Sequence, residues 1–288
     1  MKTNTYLVGG HLFSISGPTL YDAVVSLDNF KNFIYEGTTE GKPVHRFEEQ
    51  TEDKVIEFKK KKYHLYDEGV HIYFGTTSEG YRLQLIQNDQ YELNLYAAIG
   101  SNVTYLHGDM TQRLLPFALW IGYGIMTAST NTVLVHSSCI VNHDKGILFL
   151  GESGTGKSTH TRLWRENIPG SHLLNDDSPV LRVEGDTVWV YGSPWSGKTP
   201  CYRTERFPLQ ACVRLSQAPY NKITRLSVLQ AYAALHPSCP PAFAYDERLY
   251  DHVSDTIGKV LSNVACYKME CLPDKAAAEL SHNTIFNL

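Results

Sequence analysis

The segment Gly146–Thr159 constrains the fold of this chain more than any other stretch of the sequence. Its apolar run Ile147–Leu150 lies between glycines, as expected of a buried parallel strand. Residues 151–158 then match G-x-x-x-x-G-K-[ST], the pattern of a phosphate-binding loop (P-loop, or Walker A motif). Residues 159–166 can continue as a helix, which Pro169 and Gly170 end. Because strand, loop, Lys-Ser pair and helix follow in the required order, the segment favours an α/β nucleotide-binding fold over an ordinary Gly/Ser-rich turn.

Each residue type in this loop suits a polyphosphate and its metal ion. Glycines let the backbone aim several N–H groups at one point, and the positive end of the following helix adds to the attraction. Lys157 supplies a charge for the β- and γ-phosphates, and the Ser158 hydroxyl is placed to ligate Mg²⁺. The predicted nucleotide contacts are Gly151, Ser153, Gly154, Thr155, Gly156, Lys157, Ser158 and Thr159.

A pair of aspartates, Asp176 and Asp177, follows the strand predicted after the loop's helix. In an open α/β sheet this position lies at the carboxyl ends of the strands, beside the phosphates. One aspartate can hold Mg²⁺ and the other can accept the proton of an incoming hydroxyl, so both are predicted catalytic residues. The alternative is a structural turn, because Asp-Asp-Ser-Pro is also good turn chemistry.

Basic residues at other predicted strand ends are further candidates. His136 follows a strand and could orient an aspartate or move a proton, although a hydrogen-bonded core histidine is the alternative. Lys198, in the loop 192–198, is predicted to contact phosphate or substrate, with a solvated turn lysine as the alternative. Arg203 and Arg206 follow and could neutralise the charge of a transferring phosphoryl group.

The first 110 residues are predicted to form a β-rich N-terminal domain, and residues 111–288 the catalytic domain. The run Lys59–Lys62 is interpreted as a solvated hairpin end, with a phosphate- or partner-binding role as the alternative. Residues 111–129 are the first segment along the chain with a strong helix prediction. The predicted N-terminal strands are Tyr6–Val8, Val44–Phe47, Lys54–Phe58, Val70–Phe74, Tyr81–Ile86 and Tyr91–Ala97.

Composition excludes several partner classes. A net charge of −4 gives no global attraction to nucleic acid or to an anionic membrane. Six cysteines without a C-x-x-C pair indicate reduced thiols, and the N-terminus has no apolar signal segment, so a cytoplasmic location is expected. The apolar stretch Leu114–Ala128 is too short for a membrane span and contains Pro116.

Taken together, His136-Ser137-Ser138, the loop 151–159 and Leu174-Asn175-Asp176-Asp177 resemble the core of HPr kinase/phosphorylase and its relatives. The superfamily also includes the ATP-dependent phosphoenolpyruvate carboxykinases, and the resemblance covers roughly residues 130–280. It implies a mixed P-loop sheet of the HPr kinase/phosphoenolpyruvate carboxykinase type with ATP and Mg²⁺ as cofactors. It further implies that Ser158 and Asp177 contact the metal ion, whereas Asp176 acts as the base.

Departures from that family shape the expected reaction. The first 110 residues do not resemble the N-terminal domain of HPr kinase, and residues 192–198 differ from the family's motif associated with phosphorylysis. We therefore expect a kinase of the HPr-kinase-related group, with little phosphate-dependent reversal and a serine-type hydroxyl acceptor in a protein, peptide or small molecule. A phosphoenolpyruvate carboxykinase-like enzyme and a non-catalytic nucleotide-binding module are the alternatives. The sequence leaves the oligomeric state open, with a homo-oligomer among the alternatives.

Overall fold

The computed structural model describes residues 2–52, 55–197 and 199–287, which divide into two compact units. The first unit comprises residues 2–128 together with Ala242–Tyr250, and the second comprises Ser129–Pro241 together with residues 251–287. The chain is thus a mixed α/β protein with a β-rich N-terminal part. In the described part of the chain, no helix combines the length and apolarity that a membrane crossing requires.

The first unit is built on one sheet with the strand order β1-β2-β3-β8-β7-β6-β5-β4. Neighbours are antiparallel, except that β3 runs parallel to both β2 and β8. The helices of this unit are α1 Pro18–Val25, α2 Asp28–Lys31 and α3 Leu114–Thr127. Its strands are β1 Thr3–Val8, β2 His11–Ser16, β3 Val44–Glu49, β4 Lys60–Asp67, β5 Val70–Thr76, β6 Gly80–Gln87, β7 Tyr91–Ala98 and β8 Val103–Gly108.

Helix α3 belongs to this first unit and packs closely on its sheet. A Cβ atom at Gly122 would come within 2.6 Å of the Phe47 ring and 2.9 Å of Leu95, so only glycine permits this approach. The Tyr123 hydroxyl donates to the carbonyl of Val8 at 3.0 Å, which satisfies a polar group in the buried layer. The helix predicted over residues 111–129 is confirmed with slightly shorter bounds.

Two predictions for this unit are wrong. Residues 55–58 of the predicted strand Lys54–Phe58 form no strand, and Lys54 lies outside the described residues. Residues 55–58 instead cover Arg82. Nη1 of Arg82 donates to the Ile56 carbonyl, and its guanidinium lies 4.7 Å from the Phe58 ring. Residues 60–62 are not a hairpin end, because they begin β4, the terminal strand of the sheet.

The second unit has a sheet with the order β12-β10-β11-β15-β14-β13-β9, and β17 pairs with β15 and with β16. Its strands are β9 Thr132–Leu134, β10 Ser137–Asn142, β11 Lys145–Leu150, β12 His172–Asp177, β13 Val180–Glu184, β14 Thr187–Tyr191, β15 Arg206–Gln217, β16 Lys222–Arg225 and β17 Ala265–Cys271. Its helices are α4 Lys157–Asn167, α5 Val228–Leu235, residues 251–263 of α6 Glu247–Asn263, and α7 Lys275–Phe286.

Strand directions in the second unit bring several carboxyl ends to one edge. The predicted hairpin of β10 and β11 is confirmed, and β10 is also antiparallel to β12. Strands β11 and β12 therefore run in the same direction, and β15 and β17 run parallel to β11. Beneath them, α4 and α7 pack Trp164 and Ile285 into one apolar cluster with Phe149. The sheet is thereby fixed as a rigid base for the loops that leave this edge.

Candidate functional site

The glycine-rich loop, residues 151–156, joins β11 to α4. Three of its glycines have positive φ, with values of 149° at Gly151, 82° at Gly154 and 101° at Gly156. A Cβ atom at Gly151 would lie 2.4 Å from Thr155 Oγ1, so both the conformation and the space require glycine there. Gly156 is the N-cap of α4 and offers no capping side chain, which leaves first-turn N–H groups free to bind an anion.

Lys157 lies over this loop. Its ammonium donates to the carbonyl oxygens of Gly151 at 2.8 Å and Glu152 at 3.1 Å. Burial lowers the pKa of Lys157, while the carboxylates of Asp177 and Asp176 oppose that change. The lysine is therefore held by backbone carbonyl dipoles of the loop, and it lies close enough to the aspartates for their charge to influence its pKa.

Ser158 links the loop to the paired aspartates. Its hydroxyl donates to Asp176 Oδ1 at 3.0 Å. Asp176 is only 4% exposed, and its backbone carbonyl accepts from Gly197 N at 2.5 Å and from Ser196 Oγ at 3.1 Å. A hydroxyl and a carboxylate are oxygen donors of the kind that Mg²⁺ prefers, so these side chains fit that ion. Among the described residues, no three His, Cys, Asp or Glu side chains cluster as a metal site of their own.

Asp177 points to a different partner. Its Oδ1 lies 3.5 Å from His136 Nε2, and its Oδ2 accepts from Ser178 Oγ at 2.9 Å. Burial and the charge of Lys157 lower the pKa of His136, against the raising influence of both aspartates. Asp177 has a φ of 144°, an unfavourable value for a residue with a side chain. Such strain persists where the surroundings over-determine the backbone, and it is concentrated at functional sites.

Strand register explains why these five side chains meet. Ser137 at the start of β10 lies opposite Leu150 on one side and Asp177 on the other. His136, one residue earlier, therefore leaves the sheet at the edge where β11 enters the loop and β12 ends. The structure thus brings His136, Lys157, Ser158 and the aspartates together at one edge.

The basic residues after β14 are placed differently. Arg206 is bound by Glu184 at 3.0 Å and stacks 4.2 Å from the Trp189 ring, and Arg203 pairs with Glu205 at 3.4 Å. These arginines are engaged within the β13–β15 region instead of at the aspartates. Lys198 lies outside the described residues, so its predicted role stays a prediction.

Two residues at the site were given no role by the sequence reasoning, although Asn175 lies within the motif that carries the resemblance. Asn175 is fully buried; its Nδ2 donates to the carbonyls of Ser193 and Trp195, and its Oδ1 accepts from Ser178 N. It therefore fixes the loop beside the aspartates. Arg214, within β15, has Nη2 3.8 Å from Glu152 Oε1 and contributes to lowering the pKa of Lys157. A charged residue inside the apolar run 211–215 was the signal that could have revealed it.

Comparison with known proteins gives limited help. No protein-family model matches the chain, and no curated protein matches it. Among solved structures, the chain is similar to the HPr(Ser) kinase/phosphatase from Coxiella burnetii, with 12% sequence identity and a TM-score of 0.32. That similarity covers 54% of this chain and 94% of the other chain. The likeness is distant, and at this TM-score it assigns neither a family nor an activity.

Proposed function

We propose that this protein is an ATP- and Mg²⁺-dependent kinase that transfers the γ-phosphoryl group to a hydroxyl of a protein, a peptide or a small molecule. The observation that carries the proposal is the hydrogen bond of 3.0 Å between Ser158 and Asp176. It joins a loop with the phosphate-binding pattern to a pair of carboxylates, one of which also faces a histidine. An anion site, a metal site and a base are then adjacent, which is the set that phosphoryl transfer requires.

The phosphate end of ATP is assigned to the glycine-rich loop and Lys157. Backbone N–H groups at the start of α4 and the Lys157 ammonium provide positive potential at one point. Because Lys157 is bound to carbonyl oxygens, it can exchange them for phosphate oxygens without breaking a contact ion pair. Arg214 adds a second positive charge beside the loop.

Ser158 and Asp176 would hold the magnesium ion, which would neutralise negative charge on the triphosphate. This division differs from the family resemblance, which implies that Asp177 contacts the metal. We prefer Asp176 because it is the aspartate that shares a hydrogen bond with Ser158, and because its burial suits a ligand that is neutralised by a cation.

Asp177 is then the base that faces the acceptor. As the acceptor oxygen bonds to the γ-phosphorus and the bond from that phosphorus to the β–γ bridging oxygen breaks, the hydroxyl proton passes to the Asp177 carboxylate. Neutral His136 can donate Nε2–H to Asp177 Oδ1 and hold the carboxylate in place. The half-exposed Asp177 and His136 side chains, each 42% exposed, leave room for an incoming hydroxyl.

Turnover of γ-labelled ATP with separate acceptors tests this proposal. We expect labelled phosphate to appear on a hydroxyl in a panel of free serine, serine peptides and cell-extract proteins, identified by mass spectrometry. Little transfer to HPr is expected, and phospho-HPr incubated with inorganic phosphate should release little pyrophosphate. ATP binding without turnover on any acceptor would instead support the nucleotide-binding module, and rapid pyrophosphate release would restore the bifunctional kinase/phosphorylase alternative.

A further inference from the structure

A cavity of about 610 Å³ opens beside the glycine-rich loop in the second unit. Its walls come from the loop, from the first turns of α4, and from the chain just at the ends of β15 and β17. The sheet order puts β15 and β17 on one side of β11, and β10 and β12 on the other. The cavity and the paired aspartates therefore flank the loop on opposite sides.

The cavity walls are neutral and combine apolar with uncharged polar groups. Leu163, Leu215 and Leu272 contribute to them, and no Asp, Glu, Lys or Arg is among the described residues that line the space. His160 also lines it, but burial lowers its pKa to about 4, and its Nε2 is hydrogen-bonded to Ser281 Oγ at 3.0 Å. At neutral pH the cavity therefore has no side-chain charge with which to bind a phosphate or a carboxylate.

The cavity is continuous with the loop. Gly154, Thr155 and Gly156 line it, so one face of the loop borders the cavity while Lys157 lies over the loop's carbonyls. Gln217, at the end of β15, also lines the cavity, and its Nε2 donates to the carbonyl of Gly154 at 3.1 Å. A ligand that fills the cavity would thus contact both the glycine-rich loop and Gln217, whose side chain is hydrogen-bonded to that loop.

We infer that this cavity binds the nucleoside, base and ribose together, of the nucleotide whose phosphates bind at the loop. This inference rests on the proposed function and adds a binding site to it. A nucleoside triphosphate is charged at its phosphate end and neutral at the end with the aromatic base and the ribose. The glycine-rich loop with Lys157 is positively charged and the cavity is neutral, so the two sites match the two ends of the ligand. The volume lies within the range of roughly 300–1,000 Å³ that is typical of small-molecule sites. A phosphoryl acceptor does not fit this space, because its hydroxyl must reach Asp177 on the opposite side of the loop.

Comparison of ATP with inorganic tripolyphosphate separates the nucleoside site from the phosphate site. Ala218 lines the cavity and is half-buried, so Ala218→Trp should fill the space without disturbing the loop's own residues. Calorimetric titration with Mg²⁺ present should show ATP affinity lowered about tenfold or more, equivalent to ~1.4 kcal/mol, with tripolyphosphate affinity unchanged. Ala233→Trp, the same change at an exposed position of α5, is the matched control and should alter neither affinity.

A second variant guards against misfolding. Leu272→Ala shortens a partly exposed wall of the cavity, and it should weaken ATP severalfold while sparing tripolyphosphate. Equal loss of both ligands in the variants, or no loss of either, would overturn the nucleoside site while leaving the phosphate site intact. If the unmodified protein binds tripolyphosphate and ATP equally well, the nucleoside site is wrong and the loop assignment stands. If it binds neither, the proposed function fails and this inference fails with it.

Discussion

Lys62 in the first unit and Lys157 in the second are both partly buried, but their charges are compensated in different ways. Lys62 Nζ lies 2.6 Å from Asp246 Oδ2, and the side chains are 20% and 7% exposed. Lys157 is held by backbone carbonyls, and its pKa is lowered. The first arrangement satisfies a charge within the fold, whereas the second keeps a cation ready for an anion. This difference indicates where a ligand binds, because folded proteins seldom bury a charge without an opposite charge beside it unless function requires it.

The same contrast holds for Arg82 and the paired aspartates. Arg82 is 3% exposed, and Asn94 Oδ1 accepts from its Nε at 3.0 Å and from its Nη2 at 2.8 Å. Asp176 and Asp177 lie side by side at a strand end, with Asp177 in a strained backbone conformation. Arg82 thus stabilises the sheet of the first unit, while the paired aspartates of the second unit are positioned at some cost to local stability.

The largest effect is expected from Lys157→Ala. Removal of the ammonium should reduce ATP turnover by about 10²–10³-fold, because contacts to a transferring phosphoryl group strengthen in the transition state. The unfolding temperature should change little, since the lost contacts are two hydrogen bonds to loop carbonyls, one exposed at Glu152 and one partly buried at Gly151. Lys222→Ala, on the exposed strand β16, is the control. Unchanged turnover in Lys157→Ala would show that the loop is not part of the active site.

Asp176→Asn and Asp177→Asn should each lower turnover by about two to three orders of magnitude, but by different routes. Because Asp176 is paired with Ser158, its variant should require more Mg²⁺ for half-maximal rate. Asp177→Asn should keep the wild-type Mg²⁺ requirement and ATP affinity while losing the base. The reverse pattern would support the division that the family resemblance implies, and two fully active variants would show that the pair is only a turn.

Acid should weaken the second unit through His160. Its pKa is about 4 because of burial, so the folded protein binds this proton far less readily than the unfolded chain does. Stability is therefore complete above the ordinary histidine range and is lost as the pH falls toward 4, by roughly 3 kcal/mol. Amide hydrogen exchange of β11 across this range measures the effect.

His160→Gln should flatten that part of the pH profile. Ser281→Ala is the control, because it removes the hydrogen bonds of Ser281 Oγ to His160 and to Trp164 Nε1 but keeps the imidazole. The control should lower stability at every pH and retain the slope. A slope that persists in His160→Gln would assign the acid sensitivity to other groups.

Lys62→Met should destabilise the first unit by about 2 kcal/mol, because it leaves the Asp246 carboxylate buried without its cation. ATP affinity should not change. The double variant Lys62→Met/Asp246→Asn should recover part of the loss, since Tyr81 and the Leu249 N–H still provide hydrogen-bond partners to that side chain. A loss of ATP affinity in Lys62→Met would contradict the contrast between the two lysines.

The smallest effect is expected at His136. His136→Gln should lower turnover by about tenfold, because the imidazole orients Asp177 without reacting itself. Since burial and Lys157 lower the His136 pKa, the imidazole stays neutral until the pH falls below the ordinary histidine range. Protonation there would make Asp177 less basic, so wild-type turnover should fall on the acid side. The turnover of His136→Gln should not decrease at that pH. An identical decrease in turnover at acid pH in both proteins would exclude His136 as its cause.

Local sequence signals identified the second unit better than the first. The hairpin of β10 and β11 and the helix after the loop were predicted because apolar runs, glycines and proline lie within a few residues of one another. The strand predicted at Lys54–Phe58 was wrong because an alternating pattern does not reveal which partner is nearby. Arg82 comes 24 residues or more after that segment and draws it into a covering loop.

The sequence by itself determined the glycine-rich loop, the lysine and serine that follow it, and the paired aspartates, because each depends on contiguous residues. Only the tertiary structure decided which aspartate meets Ser158 and which meets His136, since strand register across β11, β10 and β12 sets those distances. It alone decided that Asn175 fixes the neighbouring loop and that a neutral cavity borders the glycine-rich loop. Residues more than 100 positions apart form that cavity because parallel strands bring distant carboxyl ends to one edge.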